Sequence, residues 1–220
     1  MGKLIVIEGL DGSGKSTQLE LLPDSLLKNG VESKAVSFPD YDDPSSTLVK
    51  MYLAGDFGDK PGDVNAYAAS LFYAVDRYAS YKRHWGEHYD NGGVILSGRY
   101  VTSNAVHQTA KLPREEWEPY LQWLYNLEYE KVCIPKPDLV IFLDMPPQVS
   151  QKMLTNRYGG DELKKDIHER DVAYLENCRK SALFAAEFSD WKIIKCAENG
   201  APRTIDAIST DILKEVLKLF

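Results

Sequence analysis

Cysteine is scarce in this chain. Its three copies in 220 residues, Cys133, Cys178 and Cys196, are an odd number set far apart, with no C-x-x-C pattern and no histidines at ligand spacing. That pattern argues against a disulfide framework or a zinc site, and it makes a reducing cytoplasm the expected compartment. Long apolar runs are missing too. The longest are strand-length, such as Leu139 to Leu143, so no membrane-spanning helix is expected. An apolar run begins at Leu4, which leaves no room for a signal peptide ahead of it. Met1-Gly2 opens a myristoylation pattern, but Val6 stands where Ser or Thr is required. Basic residues are not in excess: 26 Lys and Arg face 33 Asp and Glu, giving a net charge of -7. Such a balance argues against a nucleic-acid-binding surface, so any anion site must be basic locally. Internal repeats and low-complexity linkers are absent as well. One domain over residues 1–220 is expected, long enough to bury about 70% of the unfolded chain's surface.

What the chain does contain is a phosphate loop. Gly9-Leu10-Asp11-Gly12-Ser13-Gly14-Lys15-Ser16 satisfies G-x-x-x-x-G-K-[ST]. It follows the apolar run Leu4-Ile5-Val6-Ile7 and opens a helix-compatible stretch, as that motif requires. The glycines let successive backbone N–H groups turn toward the β and γ phosphates of a nucleoside triphosphate. Lys15 adds a positive charge, and the Ser16 hydroxyl is placed to ligate Mg²⁺. Candidate ATP-binding residues are therefore Gly9, Gly12, Ser13, Gly14, Lys15, Ser16 and Thr17, with Ser16 the metal ligand.

The remaining punctuation reads as alternating strands and helices. Strands are expected near 3–8, 34–38, 93–97, 139–143 and 192–196, each short, apolar and barely alternating, as in a parallel sheet covered on both faces. Helices are expected near 15–29, 44–55, 63–90, 101–110, 114–132, 146–157, 167–189 and 203–219. The fold class is α/β: a three-layer sandwich whose five-stranded parallel sheet is flanked by helices, with ligands at the carboxyl ends of the strands.

Helix 63–90 carries Tyr67, Leu71, Ala74, Tyr78 and Tyr81 at spacings of three or four, a stripe expected to face the core. Tyr73 and Arg77, four apart, share a face on which a ring and a guanidinium suit a stacked base with a polar edge. An exposed Asp76/Arg77 charge pair is the plainer alternative. Asp144, ending the fourth strand, reads either as a metal-site carboxylate or as the cap of the helix that follows.

Taken together, Ile7-Glu8-Gly9, the phosphate loop, Phe38-Pro39, Tyr73 to Arg77, Arg99-Tyr100 with Ser103-Asn104, and Pro135-Lys136-Pro137-Asp138-Leu139 resemble thymidylate (dTMP) kinases, from about residue 3 to about 196. The resemblance implies a P-loop nucleoside monophosphate kinase with a mobile lid, here near 157–168. It implies transfer of the ATP γ-phosphoryl group to dTMP in dTTP synthesis, with ATP and Mg²⁺ as cofactors, no nucleic-acid or membrane partner, and a homodimer. It gives Lys15 the transferred phosphoryl and Asp11 a place between the two substrates. Tyr73 becomes the ring stacked on thymine, with Phe72 the fallback, and Arg77 the contact to the base edge. Arg99 holds the dTMP phosphate. Ser103 and Asn104 lie beside the base, and His107, a helical turn on, lines the pocket.

Three departures stand out. Gly98 replaces the family's aspartate before Arg99, which is expected to weaken metal organisation. No arginine follows Phe38-Pro39, where Asp40-Tyr41 stands. Gly12 occupies the loop position that can carry a catalytic arginine, which points to the lid, with Arg157 favoured, then Arg170, and Lys164 and Lys165 behind them. A GTPase switch is disfavoured because Asn-Lys-x-Asp is absent. A kinase for another nucleoside monophosphate, or a weakly catalytic nucleotide-binding homologue, are the alternatives.

Overall fold

The computed structural model describes residues 1–58, 60, 62–157 and 172–220 and, within these, every side chain except those of 153–157, 172 and 173. Among them the chain runs β1 (Lys3–Gly9), α1 (Lys15–Leu27), β2 (Ser33–Ser37), α2 (Thr47–Ala54), α3 (Ala66–Ser80), α4 (Gly86–Asp90), β3 (Val94–Gly98) and α5 (Val101–His107). It continues with α6 (Trp117–Tyr125), β4 (Leu139–Asp144), α7 (Pro147–Arg157), α8 (Val172–Phe188), β5 (Lys192–Lys195), the short hairpin β6 (Ala197–Glu198) and β7 (Ala201–Pro202), and α9 (Ile205–Val216). The expected five-stranded parallel sheet is present in the order β2-β3-β1-β4-β5.

The central strand shows why so little polar alternation is needed. Leu4 and Val6 point into one core and Ile5 and Ile7 into the other, and all four are fully buried. The first core lies beneath α3 to α6 and α8, with Trp85, Tyr100, Tyr120 and Leu121 at its centre. In the second, Leu22 and Leu26 of α1 meet Ile208, Ile212 and Val216 of α9. Each large side chain removed from water in this way contributes about 1.5–3 kcal/mol. From β3 the chain crosses past β1 to reach β4, so the carboxyl ends of β1 and β3 lie side by side, Ile7 opposite Gly98. The phosphate loop and Arg99 therefore leave the sheet at the same edge, where α/β proteins bind ligands.

Two long helices depart from expectation. Helix 63–90 is α3, a π-helical turn at Tyr81–Trp85, and α4; helix 114–132 is a 3-10 turn at Arg114–Glu116, α6, and a π turn at Asn126–Lys131. The aromatic stripe expected to face the core is also displaced. Ala74 and Tyr81 are buried, but Tyr67, Leu71 and Tyr78 are 36%, 46% and 43% exposed. The buried face of α3 is Ala66, Ala69, Ser70, Ala74 and Arg77, one residue round the helix. Small side chains let α3 approach its neighbours closely, and the tie between Arg77 and Glu128 fixes its rotation.

Candidate active site

The phosphate loop is shaped by glycine at the positions where other residues are strained. Gly12 and Gly14 hold φ of 75° and 87°, the left-handed region that glycine enters freely. A Cβ on Gly9 would come within 2.5 Å of the Ser13 hydroxyl, so the loop closes tightly on itself. α1 begins at Lys15 with no side-chain cap, and the Gln18 N–H bonds back to Gly14 O. The first amides of the helix are thus available to an anion. Ser13 Oγ is buried and without a hydrogen-bond partner among the described residues, which fits a site completed by phosphate oxygens. Lys15 Nζ donates to Gly9 O at 2.7 Å, and burial, then the nearby Arg99 charge, push its pKa down to about 8. Ser16 is exposed at the same helix end. Among the described residues no group of three or more His, Cys, Asp and Glu is arranged to hold a metal. An exposed hydroxyl at the first turn of α1, as at Ser16, is chemically suited to Mg²⁺, a hard cation that keeps several waters and binds chiefly through phosphates.

Beside the loop lies a cavity of about 250 Å³ that gathers most of the expected acceptor residues: Asp11, Tyr73, Arg77, Arg99, Ser103, Asn104 and His107. Arg99 has a φ of 78°, uncommon outside glycine, and Ser97 Oγ braces it with a 2.7 Å bond to its carbonyl. Its guanidinium meets Asp11 Oδ1 at 2.9 Å and lies 3.4 Å from His107 Nε2. Burial, followed by the Arg99 charge, lowers the His107 pKa to about 4, so its imidazole is neutral. A guanidinium only donates, so Nε2 is the acceptor and the Nδ1 proton faces Cys178 Sγ at 3.7 Å. Behind Arg99, the fully buried Glu8 accepts from Gly9 N, Thr102 Oγ1 and Ser103 Oγ. Burial alone would raise its pKa, but the Lys15 and Arg99 charges and these hydrogen bonds bring it below the ordinary value. Tyr52 meets Tyr73 edge to face with centroids 6.4 Å apart, bracing the ring that borders the cavity.

A sequence profile described as thymidylate kinase matches residues 7–208. The chain belongs to the thymidylate kinase family. Among its relatives, a probable thymidylate kinase of Thermococcus kodakarensis is 31% identical over 200 residues, covering 89% of this chain and 90% of the relative. One from Pyrobaculum aerophilum is 27% identical over 214 residues and 97% of each chain. A solved thymidylate kinase of Candida albicans superposes with a TM-score of 0.69 at 23% identity, covering 99% of this chain and 92% of that one, which supports the shared fold.

Several expectations about this thymidylate kinase family site change. Phe72 does not line the cavity; one residue along from Tyr73 is about 100° round the helix, and its ring packs on Tyr52 and Phe57 instead. The surface pair Asp76/Arg77 does not exist. Both are buried, Asp76 accepting from Asp40 N and Ser45 Oγ, while Arg77 turns to Glu128. Nor does Asp144 cap the helix after it. Its two oxygens take Arg179 Nε and Nη2 at 2.6 and 2.8 Å, and the Val149 and Ser150 amides of α7 bond to Pro146 O. The Arg157 side chain, Arg170, Lys164, Lys165 and nearly all of the lid near 157–168 lie outside the described residues. Sequence reasoning missed Tyr52, Gln108, Lys111 and Tyr174, which also border the cavity. Spacing could have found two of them: Gln108 and Lys111 stand four and seven residues after Asn104, on one helical stripe.

Proposed function

We propose that the protein transfers the γ-phosphoryl group of ATP to dTMP, giving dTDP and ADP for dTTP synthesis. The observation that carries this reading is the Arg99–Asp11 bridge, which joins the phosphate loop to the acceptor cavity in one continuous site. ATP phosphates sit on the Gly9 to Thr17 amides with Lys15 near the transferred group. Mg²⁺, held through Ser16, neutralises the phosphate oxygens when bound. Arg99 takes the dTMP phosphate, Asp11 stands between the substrates, Tyr73 stacks on the base, and Ser103, Asn104 and His107 border it. Arg157 or Arg170 supplies the lid cation, and closure of the lid keeps water from accepting the phosphoryl group.

A homodimer built on α3 belongs to the same reading. Leu71, Val75 and Tyr78 expose 46%, 52% and 43% of their surfaces along one face of that helix, an apolar stripe that a second copy would cover. The exposed free thiol of Cys133 fits a reducing cytoplasm, and no helix among the described residues is long and apolar enough to cross a membrane.

The test is ADP release measured against a panel of monophosphates. dTMP and dUMP should be used far better than purine monophosphates, and equal use of dTMP and dGMP would refute the pocket. Lys15→Ala should lower turnover by a factor on the order of a hundred or more, because charge on the transferred group is then unbalanced. Unchanged turnover in that variant would remove the kinase assignment.

A further inference from the structure

A second cavity, of about 320 Å³, opens at the amino ends of β4 and β5, the end of the sheet opposite the phosphate loop. It shares no lining residue with the acceptor cavity and is the larger of the two. Its wall is aromatic. Tyr129, Tyr125 and Phe188 line it as a column of nearly parallel rings, with successive centroids 5.6 and 6.3 Å apart and planes 21° and 25° apart. Ser189 Oγ donates to Tyr125 OH at 2.9 Å, which fixes the middle ring before any ligand arrives. Lysine supplies the charge. Lys136 and Lys192 line the cavity and are both exposed, so they stand at its mouth, and Lys136 has no ion pair among the described residues. Lys192 meets Asp190 at 3.7 Å, but that carboxylate is almost wholly exposed and the contact is worth little in water. Asp138, also on the wall, is already taken by Lys3 and by Leu4 N. A chain of net charge -7 is thus locally basic here. The inner end reaches Thr102, which is buried and donates through Oγ1 to Glu8 Oε2 at 2.8 Å. The same carboxylate accepts from Gly9 N, the first residue of the phosphate loop.

We propose that this cavity is a second ligand site, for a flat aromatic anion, and that its occupant acts on the active site through Thr102 and Glu8. The ligand's ring packs on the aromatic column in an offset or edge-to-face arrangement, and its carboxylate or phosphate meets Lys136 and Lys192. An occupant that shifts Thr102 changes how Glu8 holds Gly9 N, so the two sites are linked, and the linkage is reciprocal. Two kinds of molecule share this chemistry, an aromatic carboxylate and a nucleotide. Only the effect on turnover rests on the proposed kinase reading; binding does not.

Calorimetric titration with 2-naphthoate, and separately with UMP while dTMP and Mg-adenylyl imidodiphosphate fill the active site, tests the proposal. At least one of the two should bind saturably: naphthoate alone identifies an aromatic acid, UMP alone a nucleotide. For naphthoate, the uncharged 2-naphthamide should bind about tenfold more weakly, and affinity should fall as salt screens the lysines. Lys136→Ala with Lys192→Ala should weaken binding by a similar factor while leaving kcat and both KM values of the ligand-free protein unchanged. With ligand bound, KM for dTMP or for ATP should shift about fivefold or more, and Thr102→Val should keep the binding but lose the shift. Absence of saturable binding by either probe, or binding that the lysine variant leaves untouched, overturns the site. Binding with both KM values unmoved overturns the link to Glu8. Binding to a protein that proves to have no kinase activity would support the site and remove only the kinase reading.

Discussion

Gly98 marks the point where one missing side chain has been absorbed by a neighbour. A Cβ there would meet Leu19 Cδ1 at 2.2 Å, so Leu19 occupies the room a carboxylate would need. Gly98→Asp alone is expected to overpack the junction of β3 and α1, costing about 1–3 kcal/mol of stability in thermal unfolding without a gain in turnover. Gly98→Asp combined with Leu19→Ala restores the space and should raise turnover at limiting Mg²⁺. A single variant that keeps its melting temperature and gains activity would show that Leu19 yields freely. Lys15 offers a second test, by pH. Its lowered pKa of about 8 means the free protein carries that charge below pH 8 and loses it above. Phosphates favour the charged form, so affinity for MgATP, measured by calorimetry, should be level below about pH 8 and fall up to tenfold per unit above it, a trend that Lys15→Met should abolish. Lys15 and Arg99 were legible because a motif or a resemblance fixes their surroundings. Glu128 was not, since its meaning comes from an arginine 51 positions away.

The helices show where period alone stops informing. On α3 the expected stripe Tyr67, Leu71, Ala74 and Tyr78 holds only at Ala74, because the inward face runs through Ala66, Ala69, Ser70, Ala74 and Arg77 and leaves the three larger side chains outside. Packing decided, because a helix fixed by a buried Arg77–Glu128 pair cannot rotate to bury its rings. The π turn at Asn126–Lys131 was equally invisible in composition, yet it brings Glu128 inward. Asn199-Gly200, by contrast, was a readable turn signal left unused: φ of 52° and 76° at these residues closes the β6–β7 hairpin. Across the sheet edge, Arg179 of α8 grips Asp144 at the end of β4 with two bonds. Because Tyr174 and Leu175 of the same helix border the cavity, Arg179→Leu should lower stability by about 1–2 kcal/mol and raise KM for dTMP. In a chain of this size that is a drop of about 2–8 °C in Tm. An unaltered Tm with unaltered KM would show that α8 is held by its apolar contacts alone.

At the scale of the whole molecule, the five-stranded parallel sheet and its flanking helices followed from alternating elements, whereas the order β2-β3-β1-β4-β5 did not. The apolar face proposed for a dimer did not either, since it depends on which face of α3 is outward. Leu71→Arg with Val75→Arg should leave the monomer folded and shift sedimentation from dimer to monomer; a native protein that sediments as a monomer at micromolar concentration would reject the dimer. The Arg99–Asp11 bridge has one more consequence. If Arg99 holds the acceptor phosphate as proposed, the Asp11 carboxylate already on it acts as a built-in competitor. Chloride, bicarbonate and other singly charged ions must displace an anion already tethered at high local concentration, and they are poorly equipped to do so. A doubly charged phosphate attached to a base that Tyr73 can stack on is better equipped, so the empty site should resist the salts of its surroundings.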